Sequence, residues 1–208
     1  MHTLYTRPET GGFAVHAALE QSGTEYKVVT IDKSKGDHRG AEFGALSPLG
    51  QVPVLKLPDG TAMTESAAMM IYLGDLNLEA GLGPPPGSAL RPHYLRWLVF
   101  SAANLYMADL RYYYADRHTS DPAGIDGVKT SALADLTKQL EIVDQAIGDQ
   151  PFLLGDTWSG ADIYTAMIAN WHPDVPALFA ACRNLERMCN GVRELECVKT
   201  ANRYHKSF

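Results

Sequence analysis

The stretch Gly81-Leu82-Gly83-Pro84-Pro85-Pro86-Gly87-Ser88 constrains this chain more than any other. Three successive prolines remove backbone N–H donors and fix φ, so a helix cannot run through them and a sheet interior cannot hold them. The flanking glycines complete a connection. Residues 81–87 are therefore read as a linker between 1–80 and 88–208, and the two parts differ in residue pattern. A chain of 208 residues has the length of one to two domains, and with 46% hydrophobic residues it can bury a sizeable core. That balance excludes disordered, collagen-like and small disulfide-stapled classes.

In residues 1–80 short β-prone runs alternate with helical patterns. His2–Thr6 predicts a strand, Gly12–Ser22 a helix stopped by Gly23 at its C′ position, and Tyr26–Ile31 a second strand rich in Val and Thr. Val54–Leu57 and Thr61–Met63 flank Pro58-Asp59-Gly60, which reads as a hairpin, and Ser66–Leu78 reads as a helix. The order is β-α-β, a connecting segment, then β-β-α, with a right-handed parallel crossover in its first half. After the linker, Ser88–Arg117 and Ile125–Ile147 carry apolar residues at helical spacing. In Trp158-Ser159-Gly160-Ala161-Asp162-Ile163, Ser159 and Asp162 predict a reciprocal capping box, with Trp158 packing on Ile163. Pro173 and Pro176 are expected to break the segment that follows, and two further helices end near Arg203. The expected architecture is an α/β domain followed by an all-α domain.

Charge and cysteine content narrow the function classes. A formal net charge of -6 argues against general nucleic-acid binding, which needs a basic surface. Cys182, Cys189 and Cys197 are an odd set with no metal-ligand spacing, so reduced, packed thiols and no metal are expected. The N-terminal residues lack a signal-peptide pattern, and the most apolar stretch, Tyr94 to Leu110, carries Arg96, Asn104 and Asp109. A soluble cytoplasmic protein without membrane partner is the expectation.

A small thioredoxin-like βαβ-ββα domain followed by an all-helical domain resembles the cytosolic glutathione transferase superfamily, nearest to its bacterial beta-like members. Two motifs carry the resemblance beyond the element order. Pro48-Leu49-Gly50-Gln51-Val52-Pro53-Val54-Leu55 followed by Glu65-Ser66 is similar to the family's glutathione-binding signature. Gly155-Asp156-Thr157-Trp158-Ser159-Gly160-Ala161-Asp162-Ile163 is similar to the capping motif of its helical domain. The resemblance implies a cis Val52-Pro53 bond and backbone pairing of Val52 with glutathione, a peptide that docks on an open strand edge. It implies that Ser66, heading a helix, takes the γ-glutamyl carboxylate, and that Glu65 takes the ammonium. Lys35, His38 or Arg39 then meets the glycine carboxylate; Lys35 precedes Val52 by seventeen residues, the beta-class spacing. Gln51 is a further contact. Read without the family, Ser66 is a helix N-cap and the basic residues form a solvated loop.

Family chemistry depends on a donor that stabilises the glutathione thiolate: a Tyr ending the first strand, or a Ser or Cys opening the first helix. Here Thr6, Glu9 and Gly11 hold those three places. The Thr10 hydroxyl, the backbone N–H groups of Thr10, Gly11 and Gly12, and Thr6 are the candidates that remain, whereas Glu9 repels a thiolate. Tyr106, Leu110 and Tyr113 on the long helical segment, together with Trp171, are candidate acceptor-pocket residues. Tyr106 stands roughly where beta-class members carry a basic group, and His172, before Pro173, reads as an exposed turn residue. The resemblance implies a homodimeric transferase or lyase that uses glutathione as co-substrate against a hydrophobic, aromatic electrophile. A protein that binds glutathione without chemistry is the alternative. A disulfide oxidoreductase is disfavoured, because residues 1–80 contain no cysteine.

Overall fold

The structure is a computed structural model that describes residues 1–207. Its strands are β1 (His2–Thr6), β2 (Tyr26–Thr30), β3 (Val54–Lys56) and β4 (Ala62–Met63), in one sheet of order β2-β1-β3-β4. β1 and β2 are parallel, while β3 is antiparallel to both β1 and β4. Helices α1 (Gly12–Ser22), α2 (Ala41–Leu46) and α3 (Ser66–Leu76) complete this α/β part. The all-α part contains α4 (Arg91–Phe100), α5 (Tyr106–Tyr113), α6 (Ile125–Ile147), α7 (Gly160–Ala169), α8 (Val175–Ala181) and α9 (Arg183–Arg193), and α10 (Glu196–His205) follows. No helix among the described residues is long and apolar enough to cross a membrane.

The chain divides into two compact units. One joins Met1–Pro86 with the segment from Arg193 onward, and the other is Gly87–Val192. Residue pattern assigns the C-terminal segment to the helical half, but α10 packs on α1 of the first unit. α1 is buried around nearly its whole circumference because β1, α3 and α10 surround it. Ala14, Ala17 and Ala18 give these neighbours close approach, and Phe13 and Leu19 fill the remaining space. A second cluster of Ile31, Phe43 and Val54, with Tyr5, Leu46 and Val52 against it, fastens α2 to the sheet.

Several boundaries differ from the sequence expectation for physical reasons. The segment Ser88–Arg117 is not one α-helix: a π turn at Ser101–Leu105 separates α4 from α5, and a 3-10 turn follows at Ala115–Arg117. At that turn the buried Ser101 hydroxyl hydrogen-bonds Thr165 of α7 at 2.8 Å. Pro176 opens α8 rather than breaking it, because the first helical turn does not need the missing N–H. α7 is buried at all ten of its residues, and Asp162 and Ser159 make the expected capping box at its start. The three cysteines are buried and outside any disulfide, and burial pushes Cys182 and Cys197 up to about 11, which leaves little thiolate.

α10 brings one unusual group into the first unit. The His205 ring is fully buried against Phe13, His16 and Tyr204, and among the described residues neither ring nitrogen has a hydrogen-bond partner. Burial, with His16 adding to it, pushes His205 from 6.5 down to about 3. The unfolded chain therefore binds a proton that the folded chain refuses, so stability is lost as pH falls below 6.5 toward 3. His205→Phe is expected to remove this slope and to add about 2 kcal/mol at pH ~5, with a smaller change at pH ~7.5. Urea unfolding at the two pH values measures it. An equal gain at both would make the effect one of packing alone.

Candidate functional site

The strand registers collect the predicted residues of the first unit at one edge of the sheet. Thr6 pairs with Thr30 at the C-terminal ends of β1 and β2, and Tyr5 pairs with Val54 at the start of β3. Leu55 pairs with Met63, so the end of β4 and the start of α3 lie at that same edge. The edge therefore carries Thr6, the loop from Arg7 to Gly11, Pro53 and the Glu65-Ser66 pair. Ligands of open α/β sheets bind outside such strand ends, where loops rather than paired backbone face outward.

Close approach fixes the centre of this edge. A Cβ added to Gly12 would lie 1.8 Å from Thr6 Oγ1, 2.7 Å from Thr6 Cβ and 3.5 Å from Pro53 Cβ. Thr6, the first residue of α1 and Pro53 are thus in direct apposition, and the Val52-Pro53 peptide is cis. Thr6 is wholly buried and Thr10 is nearly so. The Thr10 hydroxyl donates to the Arg7 carbonyl at 2.8 Å and lies 3.3 Å from the Thr6 hydroxyl. α1 begins with no side-chain cap on its N-terminus. Glu9 is exposed at φ 57°, and Glu65 heads α3 at φ 64°. Left-handed backbone at a non-glycine residue is costly and gathers at functional sites; both glutamates lie at this edge.

The loop leading to Pro53 is braced from beneath. Buried Ser47 accepts from the Gln51 N–H at 3.0 Å through its hydroxyl oxygen and donates to the Gln51 carbonyl at 2.9 Å. Gly50, at φ 64°, passes so near the 3-10 turn Asp37–Arg39 that a Cβ would meet the His38 carbonyl oxygen at 2.8 Å. Gln51 is left exposed and Val52 half-buried. Lys35 and Arg39 are exposed, and Lys35 pairs with Asp32 at 3.3 Å. Asp32 accepts from the Ser34 hydroxyl and N–H and from Lys35, which together hold its carboxyl down at about 2. A surface depression of about 310 Å³ is lined by Arg7, Pro8, Asp32, Lys33 and neighbouring residues of the same edge. Arg7 was not singled out by its residue type; only the register that carries it to the end of β1 reveals it.

In the helical unit, α5 gathers the aromatic candidates. The Tyr106 ring lies 5.5 Å from that of Trp171 and 6.3 Å from that of Tyr164. The Tyr113 hydroxyl donates to the Trp171 carbonyl at 2.7 Å while 51% of the residue is exposed. Half-buried Leu110 lies one turn from Tyr106, so Tyr106, Leu110, Tyr113 and Trp171 come together. His172 is buried, not an exposed turn residue: its Nε2 meets the Thr137 hydroxyl at 3.1 Å and its Nδ1 accepts from the Asp174 N–H. Asp109 had only its polarity to mark it in the sequence, yet it is 4% exposed, and burial pushes its carboxyl up to about 7.

The family described as "Glutathione S-transferase, N-terminal domain" matches residues 13–76, and "Glutathione S-transferase, C-terminal domain" matches residues 103–195. Thr6 and Thr10 precede the first match. The chain is 30% identical over 169 residues to glutathione S-transferase GstA of Escherichia coli O157:H7, covering 81% of each chain. Among solved structures, a sphingomonad glutathione S-transferase complexed with glutathione superposes with a TM-score of 0.84 at 26% identity over 98% of both chains. The bacterial beta class enzyme of Sphingomonas chungbukensis gives 0.85 at 25% identity, over 99% of this chain and 100% of that one.

Proposed function

We propose that this chain, which belongs to the glutathione S-transferase superfamily, binds glutathione at the sheet edge around Thr6, Gly12 and Pro53 and turns its thiolate on a hydrophobic, aromatic electrophile. The observation that carries the reading is the apposition of the α1 N-terminus with a cis proline opening β3, because it presents helix amides beside the start of a strand. In this reading Val52 pairs with the tripeptide backbone, and Ser66 with the first turn of α3 receives the γ-glutamyl carboxylate. Glu65 receives the ammonium, and Gln51, Lys35 and Arg39 meet the glycine carboxylate. The bound sulfur gives its electron pair to the electrophilic carbon, and a leaving group departs or an activated double bond opens. Tyr106, Leu110, Tyr113 and Trp171 supply the apolar surface for the acceptor. A cytoplasmic homodimer needing no metal completes the proposal.

The thiolate is stabilised, in this proposal, by the amides of Thr10, Gly11 and Gly12 at the start of α1. The Thr10 hydroxyl has one proton and gives it to Arg7, and Thr6 is sealed beneath Gly12. Glutathione titration by calorimetry, with ultraviolet absorbance of the bound thiolate across pH, is the test. The expected bound thiol ionises at least about one pH unit below the ordinary ~8.5 of a free thiol. Thr10→Ala is expected to keep most of that shift. A collapse of the shift in this variant would hand the role back to the hydroxyl. The second reading, a glutathione-binding protein without chemistry, is favoured by the same inward-turned Thr10 hydroxyl, and tight binding with an unshifted thiol would establish it.

A further inference from the structure

The depression at the ends of β1 and β2 lies wholly within the first unit. Arg7 and Pro8 wall one side of it, and the segment from Thr30 to Ser34 walls the other. Its volume of about 310 Å³ suits a small ligand. Arg7 is half-buried there, and among the described residues its guanidinium has no carboxylate partner. A guanidinium presents five N–H donors on a planar fork that matches a carboxylate, so a half-buried one without such a partner keeps binding capacity in reserve. The acidic groups around it are engaged elsewhere or exposed. Asp32 accepts from the Ser34 hydroxyl at 2.6 Å and the Ser34 N–H at 2.9 Å, and it pairs with Lys35 at 3.3 Å. Asp37 accepts from the Asp32 N–H at 2.9 Å, and Glu9 is exposed. Because the Ser34 hydroxyl gives its proton to Asp32, an anion in the depression falls to Arg7, with Lys33 adding a second positive charge to the lining. Pro8 and Ile31 supply apolar surface beside them. The same loop reaches the sulfur site. The Arg7 carbonyl accepts from the Thr10 hydroxyl at 2.8 Å, which ties Arg7 to the turn that carries the amides of Thr10, Gly11 and Gly12.

We propose that this depression seats a carboxylate of the acceptor, gripped by Arg7 through two parallel hydrogen bonds, so that the preferred electrophiles are aromatic acids. The inference rests on the glutathione-transfer reading and adds its substrate class. An acid exchanges hydration for a charge-assisted pair with the guanidinium, whereas a neutral compound of the same shape covers Arg7 and leaves its donors unmet. Discrimination therefore comes from both sides, a bond gained by the acid and a cost imposed on its neutral analogue. With a chloromethyl acid the thiol proton passes to solvent on ionisation, and the sulfur electron pair then forms the C–S bond at the benzylic carbon. The C–Cl bond breaks as it forms, and chloride leaves with that bonding pair. The carboxylate takes no part in the bond change; Arg7 sets the affinity for the acid and its orientation.

A matched pair of electrophiles isolates this role. 4-(Chloromethyl)benzoate and 4-(chloromethyl)benzamide have nearly the same shape and differ in charge. Each kcat/KM near neutral pH is divided by the rate constant of that electrophile with free glutathione, which removes intrinsic reactivity. The benzoate-to-benzamide ratio is then expected to exceed one by at least about tenfold in the unaltered protein. Arg7→Gln should bring the ratio close to one, through a higher KM for the benzoate. Arg7→Lys keeps the charge without the fork and should fall between the two. Calorimetry with unreactive 4-methylbenzoate and 4-methylbenzamide, at saturating glutathione, should show the same preference as binding. A ratio near one in the unaltered protein overturns the proposal, as does equal binding of the two unreactive compounds, and both hold even if Arg7→Gln does not fold. A high ratio that survives Arg7→Gln also overturns it; weaker glutathione binding in that variant would then assign Arg7 to the glycine carboxylate of the tripeptide. If neither electrophile reacts and no glutathione binds, the functional reading fails and this inference fails with it. Transfer to both electrophiles at equal normalised rates sinks the inference alone.

Discussion

Gly12→Ala is expected to lower glutathione affinity at least tenfold and to destabilise the first unit by about 1–3 kcal/mol, the usual range for forcing a methyl into a filled space. Helix propensity points the other way, since alanine is better than glycine within a helix by about 1 kcal/mol. The distances decide the sign. The new Cβ would stand 1.8 Å from Thr6 Oγ1 and 2.7 Å from Thr6 Cβ. Rotating the threonine hydroxyl away would relieve the first contact and break its approach to Thr10, but the second is a clash with an atom that rotation does not move. Either α1 or β1 must shift, and with it the approach of the α1 amides to Pro53. Paired variants separate the two contacts. Thr6→Ala leaves the Cβ in place and should not rescue Gly12→Ala, whereas Thr6→Gly should restore much of the binding. Calorimetry with glutathione and thermal unfolding read both effects. Normal affinity and an unchanged Tm in the single variant would remove the Thr6–Gly12–Pro53 apposition from the account of the site.

That prediction depends on a contact no sequence pattern announces, although its participants were all visible. Thr6, Gly12 and Pro53 were legible because strand, helix and proline signals are local: His2–Thr6 and Gly12–Ser22 form as their alternation and Gly23 stop require. Ile125–Ile147 forms over its full periodic run for the same reason. Features set by tertiary packing were not legible. The π turn at Ser101–Leu105 leaves the apolar spacing looking helical, and the Ser101–Thr165 bond beside it joins residues 64 apart. α2 has one buried residue, Phe43, too few to make a period. α10 carries the helix signal of the helical half and yet covers α1, since an amphipathic stripe does not say which partner it meets. Burial of Asp109 and His205 is likewise a property of their neighbours. The local half of the site, and not its electrostatics, is what a linear reading reaches.

Asp162 shows the opposite case, in which a local signal carries a large tertiary consequence. Its carboxylate accepts from the Leu153 N–H at 2.8 Å, from the Ser159 N–H at 2.8 Å and from the Ser159 hydroxyl at 2.9 Å. All of this is buried, so water cannot replace a lost partner. Burial pushes the carboxyl up to about 6 while these hydrogen bonds pull it down, so it is mostly ionised at neutral pH and opposes three donors with a full negative charge. Asp162→Asn keeps the shape but turns one acceptor oxygen into an NH2 group that faces the Ser159 donors. The loss expected at pH ~7.5 is about 3–5 kcal/mol, the scale for breaking a buried charged network from one side. Asp162→Ala should cost a similar amount by stranding all three donors. Ser159→Ala removes the hydroxyl donor and the cap on the Ala161 N–H but leaves the backbone bonds, so it should cost only about 1–2 kcal/mol. Because the folded carboxyl sits at about 6, above its ordinary 3.8, the folded chain takes up a proton before the unfolded chain does. Native stability therefore gains as pH falls from about 6 toward 3.8, and the difference from the Asn variant should widen by about 1 kcal/mol between pH ~7.5 and ~5. Urea unfolding of the three variants at pH ~7.5 and ~5 distinguishes this ordering from simple helix capping, under which Ser159→Ala and Asp162→Asn would cost alike.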